Sequence, residues 1–202
     1  MTAISLLSDA DMARVTKRIS HEIIERNNGA KNIVLVGVLR RGALFANRLK
    51  KAIKSIEGIS VPVYSLDIAD ARDDVTLEET RNHLLNENIS GVELVEEIKR
   101  EIYPPEISSV SNIDLENFNV VIVDDVLFTG RTIRACMQII SGISRPKTIQ
   151  LAVMIDRGHR ELPIKADYVG KNIQTNRMER VNMKMTELDD VDLVELVKPN
   201  LG

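Results

Sequence analysis

Apolar positions recur along this chain at two spacings. Between Ser8 and Arg26, Met12, Val15, Ile19 and Ile23 share one helical face, while Arg14, Lys17, Arg18, His21 and Glu25 gather on another. Ser8 or Asp9 is placed to cap the start of this helix, and Asn28-Gly29 to end it. The spacing then changes to unbroken β-type runs. Asn32 to Leu39 (NIVLVGVL) predicts a strand buried on both faces and closed by Arg40-Arg41-Gly42. A helix from about Ala43 to Ser55 and a strand from Val61 to Ile68 follow, with a charged loop over Asp67 to Asp74. After an interruption the alternation resumes: a strand over Asn119 to Val126, a helix from about Gly130 to Ile143, a strand over Thr148 to Ile155, and shorter strands near Ala166 to Gly170 and Val181 to Met185. Strand, helix, strand at this spacing predicts an α/β fold, a mainly parallel twisted sheet flanked by helices, in a single domain over 1–202.

The interruption, 75–119, has a different texture. Roughly Leu77 to Ile102 is helix-compatible and acidic, and Tyr103-Pro104-Pro105 stops it. A helical, solvated excursion is the expectation there.

Chemistry concentrates in VVIVDDVLFTGRT, Val120 to Thr132. An apolar strand runs into Asp124 and Asp125, then into a short loop, Val126 to Gly130, that opens a helix. Ligands of parallel sheets sit at the carboxyl ends of the strands, so the two carboxylates are expected in the binding crevice. The backbone amides of Phe128, Thr129, Gly130, Arg131 and Thr132, with the two threonine hydroxyls, would converge on an anion at the helix start. A carboxylate pair suited to a diol beside a phosphate cradle describes a site for a ribose phosphate.

Composition narrows the classes. The chain has 202 residues, 44% hydrophobic and 28% charged, which suits one globular core. No stretch approaches the roughly 18 to 20 apolar residues that span a bilayer, and the start lacks a basic-then-apolar leader, so a soluble cytoplasmic protein is expected, with no membrane partner. One cysteine, Cys136, excludes an intrachain disulfide framework, and His21, His83 and His159 form no metal-ligand cluster with it. Aromatic residues make up only 3%, which disfavours stacking platforms for single strands. The net charge of −3 divides unevenly, into an acidic 75–107, an acidic tail from Thr186 and a basic 157–184 carrying a net +4. Near neutrality therefore leaves room for a local basic surface.

The string from Asp124 to Thr132 resembles the phosphoribosyl pyrophosphate (PRPP) signature of the type I phosphoribosyltransferases. Together with LVGVLRRG (Leu35 to Gly42), HEIIERN in the first helix, the pieces around Asp67 to Asp74, and Ile149 to Thr175, the chain resembles the PyrR family of bifunctional pyrimidine-operon regulators and uracil phosphoribosyltransferases. The likeness covers nearly everything except Val75 to about Asn119, where this chain is roughly twenty residues longer than the usual pattern. It implies the type I phosphoribosyltransferase fold with a small hood beside the acidic insertion. It also implies transfer of the phosphoribosyl group from PRPP to uracil, giving UMP and pyrophosphate, with magnesium riding on PRPP near Asp124 and Asp125 and no metal held by protein ligands alone.

By the same resemblance Arg40, Arg41 and Gly42 fall in the pyrophosphate loop, with Arg40 replacing the usual Thr. Arg72 lies in a loop bordering the substrate, where Ala69-Asp70-Ala71 replaces Thr-Leu-Tyr. Asp124, Asp125, Val126, Leu127, Phe128, Thr129, Gly130, Arg131 and Thr132 hold the ribose hydroxyls and the 5-phosphate, and Arg157 and Val181 border the substrate and base. Phe128 stands where 6-oxopurine transferases carry a carboxylate for the purine ring nitrogen, which argues against purine salvage. No residue is assigned to proton transfer or to covalent catalysis. Positions matching the family's RNA face are Lys17, Arg18, His21, Arg160, Lys165 and Lys171, with Lys17 replacing Thr and Lys165 replacing Arg. The expected partners are thus PRPP, uracil, UMP, pyrimidine-operon leader RNA and further copies of this chain in a homodimer or larger assembly. The alternatives are salvage of another base without RNA regulation, and an RNA-binding attenuator with little catalysis.

Overall fold

The computed structural model describes residues 2–68, 108–109 and 114–199. Arg72, the Ala69-Asp70-Ala71 departure and most of the expected acidic helical insertion lie outside the described residues. Of that insertion, Ser108–Ser109 forms a two-residue strand and 114–118 is a non-helical turn leading into the next strand.

Three layers follow from the apolar pattern. Strands β1 (Thr2–Ser8), β2 (Ile33–Val38), β3 (Val63–Leu66), β4 (Ser108–Ser109), β5 (Asn119–Leu127), β6 (Thr148–Asp156), β7 (Tyr168–Asn172), β8 (Arg180–Lys184) and β9 (Leu193–Lys198) alternate with helices α1 (Asp9–Arg26), α2 (Arg41–Glu57), α3 (Arg131–Ile143) and the short α4 (Thr186–Asp189). Six strands form a parallel sheet in the order β4-β3-β2-β5-β6-β7. All six residues of β2 are buried, as its unbroken apolar run requires. Successive residues of β5 feed opposite faces: Val121 and Val123 pack with α1 and α2, while Val120 and Ile122 pack with α3.

The first helix has the expected stripe, with Met12, Ile19 and Ile23 buried. Ser8 is its cap, in a capping box with Asp11. Two hydroxyls on its buried side, Thr16 and Ser20, are satisfied by carbonyls one turn back, Met12 and Thr16, at 2.7 and 2.8 Å.

Two strands depart from the sequence reading. β1 and β9 pair antiparallel, and β9 also pairs with β8, giving a separate three-stranded sheet, the hood. What reads as an acidic tail from Thr186 is α4 and β9. Its carboxylates serve as partners: Glu187 and Asp192 both hold Arg48 of α2, Asp189 holds Arg41, and Glu195 holds Lys184. Burial opposes the charge on Arg48, but the hydrogen bonds it donates to Asp192 and Glu187 outweigh it and push the guanidinium further into its protonated form. The hood is therefore clasped to α2, beside the carboxyl ends of the parallel strands. Among the described residues, no helix is long and apolar enough to cross a membrane.

Candidate active site

The end of β5 carries the first half of the site. Asp124 is 8% exposed and Asp125 half-buried. One oxygen of each accepts from the next backbone amide, Asp125 N at 2.9 Å and Val126 N at 2.8 Å. The two carboxylates differ in setting. Asp124 lines a cavity of about 380 Å³ with Val126, Leu127, Phe128, Thr129, Gly130, Thr132 and Ile133, and its charge reaches Cys136 of α3. Burial first, and that charge second, push the Cys136 thiol well above its usual range. Asp125, half-buried at the same strand end, is not among the residues lining that cavity.

Gly130 makes the turn from loop to helix at φ +92°, a left-handed conformation that disfavours other residues. No side chain caps α3; the Thr129 hydroxyl reaches only Arg131 N, at 3.4 Å. A helix start without a side-chain cap, facing a cavity lined by Thr129 and Thr132, is suited to receive an anion.

The loop is supported from beneath by Arg160, a position matched to the RNA face by the resemblance. Its guanidinium runs under the loop, donating from Nε to Ile164 O at 2.7 Å and from Nη1 to Phe128 O at 2.9 Å, and pairing through Nη2 with Asp156. The Thr129 carbonyl accepts from Glu161 N and Leu162 N at 3.0 and 3.3 Å, and Arg131 pairs with Glu161 at 2.9 Å. Residues 156–162 are thus the floor of the phosphate-type loop.

Phe128 is held between a guanidinium and an imidazole ring. The Arg157 guanidinium stacks 4.1 Å from the ring centroid, and His159 meets it edge-on at 5.5 Å and 73°. Arg157 is 7% exposed and fixed by Thr175 Oγ1, Asn176 O and Glu179 O at 3.1, 3.2 and 2.6 Å, while burial lowers its pKa against the pull of Glu179. His159 contacts the Thr175 carbonyl through Nε2. The sequence singled out Phe128 and Arg157 separately. His159 and Thr175 were missed, because only the fold brings 156–159 against 175–179.

The second half of the site is the turn after β2, where the peptide between Leu39 and Arg40 is cis. Arg40 is exposed, and Arg41 pairs with Asp189. A Cβ on Gly42 would lie 2.4 Å from Val123 O and 3.1 Å from Asp124 Cα, so only glycine lets this turn sit against the end of β5. That contact joins the two halves. Val181, on β8, is partly buried against the core on the face of α1 and α2, and β8 lies beside β5.

The remaining basic positions are dispersed. Lys17 lines a separate groove with Arg48 and Asp192. Arg18 pairs with Glu22 and donates to the Val169 and Gly170 carbonyls at 2.9 and 2.7 Å. Lys171 donates to Leu6 O at 3.0 Å, and His21 and Lys165 are exposed. Among the described residues no group of three or more His, Cys, Asp or Glu could cage a metal.

The family model of the phosphoribosyl transferase domain matches residues 5–187. The chain is 41% identical to the bifunctional protein PyrR of Halalkalibacterium halodurans over 95% of each chain. It is 46% identical to the protein of the same name from Caldicellulosiruptor bescii, over 89% of this chain and 86% of the other. Among solved structures, a hypoxanthine phosphoribosyltransferase from Staphylococcus aureus aligns over 98% of this chain and 94% of its own, with TM-score 0.63 and 20% identity, a likeness of fold alone.

Proposed function

The chain belongs to the phosphoribosyl transferase family, among relatives of the bifunctional PyrR proteins, and from that premise we propose that it transfers the ribosyl 5-phosphate of PRPP to uracil, yielding UMP and pyrophosphate, and also regulates pyrimidine genes by binding RNA. The observation that carries the catalytic reading is the run Asp124 to Thr132, folded as strand end, anchored loop and uncapped helix start around one cavity. In this reading the α3 amides with Thr129 and Thr132 hold the 5-phosphate. Asp124 and Asp125 face the ribose hydroxyls. Arg40 and Arg41 neutralise the diphosphate, and Arg72, outside the described residues, belongs to the loop bordering the substrate. Guanidinium pairs suit phosphate oxygens.

Displacement at the anomeric carbon passes through an oxocarbenium-like state as pyrophosphate leaves. The chain's contribution is to hold the two ends of PRPP on opposite sides of the Gly42–Asp124 contact and to stabilise the departing charge. No side chain needs to form a covalent intermediate. The donor set fits magnesium: two hard carboxylates, with no cage of three or more ligands among the described residues, match an ion that keeps water and substrate oxygens. Asp124 and Asp125 would hold it, and it would supply charge neutralisation on the diphosphate.

For the base, the Phe128 ring, stacked on Arg157, is read as an apolar wall, with Val181 assigned to the base border by the resemblance alone. A phenyl ring cannot exchange the proton of a purine ring nitrogen, which favours uracil over purines. Pyrophosphate release measured with PRPP, magnesium and uracil, hypoxanthine or guanine tests this: turnover confined to uracil is expected. No release with uracil at saturating PRPP would refute it.

For RNA, Lys17, His21 and Lys165 remain outward, while Arg18, Lys171 and Arg160 are engaged within the chain. RNA contact is accordingly through charge and shape, with UMP strengthening binding to a pyrimidine leader. Equal affinity for a scrambled RNA, lost uniformly with salt, would leave only nonspecific attraction. A cytoplasmic homodimer or larger assembly completes the reading, and sedimentation measures its size.

A further inference from the structure

Arg41 opens α2 at the turn read above as the pyrophosphate subsite, yet one terminal nitrogen of its guanidinium is already engaged. Its Nη2 donates to both carboxylate oxygens of Asp189, at 2.9 and 3.1 Å, while its Nε is buried with no partner. A buried donor without an acceptor is costly, so Asp189 satisfies this guanidinium only in part. Asp189 itself is rigidly mounted. Its Oδ2 accepts Met185 N at 2.9 Å, its own amide donates to Met185 O at 2.7 Å, and its side chain is 24% exposed. Neighbouring Arg40 is exposed instead. A carboxylate and a diphosphate oxygen make the same demand on a guanidinium, and the Nη2 hydrogens cannot serve both.

We infer that Asp189 is a positioning residue that holds Arg41 in reserve and competes with the substrate's diphosphate for it. The inference rests on the proposed pyrophosphate subsite and extends it to the hood. In the empty site, Asp189 keeps Arg41 ordered at the mouth of the turn. An incoming diphosphate meets Arg40 first and then displaces the carboxylate from Arg41. After transfer, Asp189 reclaims Arg41 and so speeds the departure of pyrophosphate. The guanidinium exchanges one anion for another, and no bond forms or breaks in the exchange.

The test is calorimetric titration of the full chain with magnesium pyrophosphate, joined to product-inhibition constants for pyrophosphate and UMP. Asp189→Asn removes the charge but keeps an oxygen for the Met185 amide. It is expected to bind pyrophosphate about three- to tenfold more tightly, the scale of a partly exposed ion pair, with the UMP constant unchanged. Glu187→Gln loosens the same turn from Arg48 without touching Arg41, and is expected to bind pyrophosphate as wild type does. Should the Asn variant fail to fold, Asp189→Ser is measured in its place. Pyrophosphate affinity unchanged or weakened at Asp189, or an equal gain in Glu187→Gln, would overturn the inference while leaving the subsite in place. Wild type that binds no magnesium pyrophosphate would overturn the subsite and the inference together.

Discussion

Arg160→Gln offers the sharpest measure of how the phosphate-type loop is held. The wild-type guanidinium serves three acceptors at once: Ile164 O, Phe128 O and the Asp156 carboxylate, which is 8% exposed. Glutamine is too short and has too few donors to replace all three, and it leaves Asp156 with only the Gly158 amide. Hydrogen bonds from a charged donor contribute about 1.5–3 kcal/mol each, and breaking a buried pair costs about 3–5 kcal/mol. The Arg160 side chain is 22% exposed, so water recovers part of this, and a net loss of about 2–4 kcal/mol is expected. At a urea slope near 2 kcal/mol/M the midpoint would fall by about 1–2 M. The Phe128 carbonyl is in the loop itself, so losing that one bond, about 1.5 kcal/mol at the low end of this range, should raise KM for PRPP roughly tenfold. Urea unfolding and initial-rate kinetics read the two effects separately. Unchanged stability together with unchanged KM would refute Arg160 as the anchor of the loop and return it to a surface role.

Gly42→Ala places a Cβ 2.4 Å from Val123 O, so the turn and β5 must separate; a stability loss of about 1–3 kcal/mol in thermal unfolding and weaker PRPP binding are expected together. Asp125→Asn should weaken PRPP use strongly while leaving the urea midpoint near wild type, as calorimetry with PRPP and unfolding curves would register. Burial pushes Asp192 up, but hydrogen bonds from Arg48 and Thr186 outweigh it and hold the carboxyl below its usual range. A depressed folded-state pKa gives stability that is fully present above the unfolded value, about 3.9, and lost as pH falls through the folded one. The difference in urea midpoint between wild type and Asp192→Asn should therefore be constant from pH 5 to 7 and shrink below about pH 4. Cys136, buried and with its thiol pKa raised, should resist iodoacetamide in the folded protein at pH 8 and react on unfolding, as mass spectrometry would show.

The parallel sheet was legible because its strands are buried on both faces, and uninterrupted apolar runs such as Ile33–Val38 have few other destinations. The strand–loop–helix after Val123 was legible because its acids, threonines and glycine are contiguous. The hood was not. Four of the seven residues in Thr2–Ser8 are exposed in succession, so no alternation marks β1, and its partner β9 lies at the opposite end of the chain. The acidic count from Thr186 onward concealed β9, because charge totals do not reveal that Asp192 and Glu187 are spoken for by Arg48. Arg160 and Asp189 were obscured for a related reason. Each makes its contact with a segment far off in sequence, Phe128 for Arg160 and Arg41 for Asp189, and local pattern shows only a charge without that partner.

The guanidinium of Arg18 bears on how copies of this chain can meet. β7 is the last strand of the parallel sheet, bonded to β6 on one side only. Such a border is a template on which another chain can continue the ladder. Here Arg18 reaches across from α1 to the carbonyls of Val169 and Gly170, near the middle of that border, and sets a fixed positive charge in the path of an arriving strand. Sheet-to-sheet pairing at this margin is thereby disfavoured, because an arriving strand would have to displace Arg18 from two carbonyls it already serves.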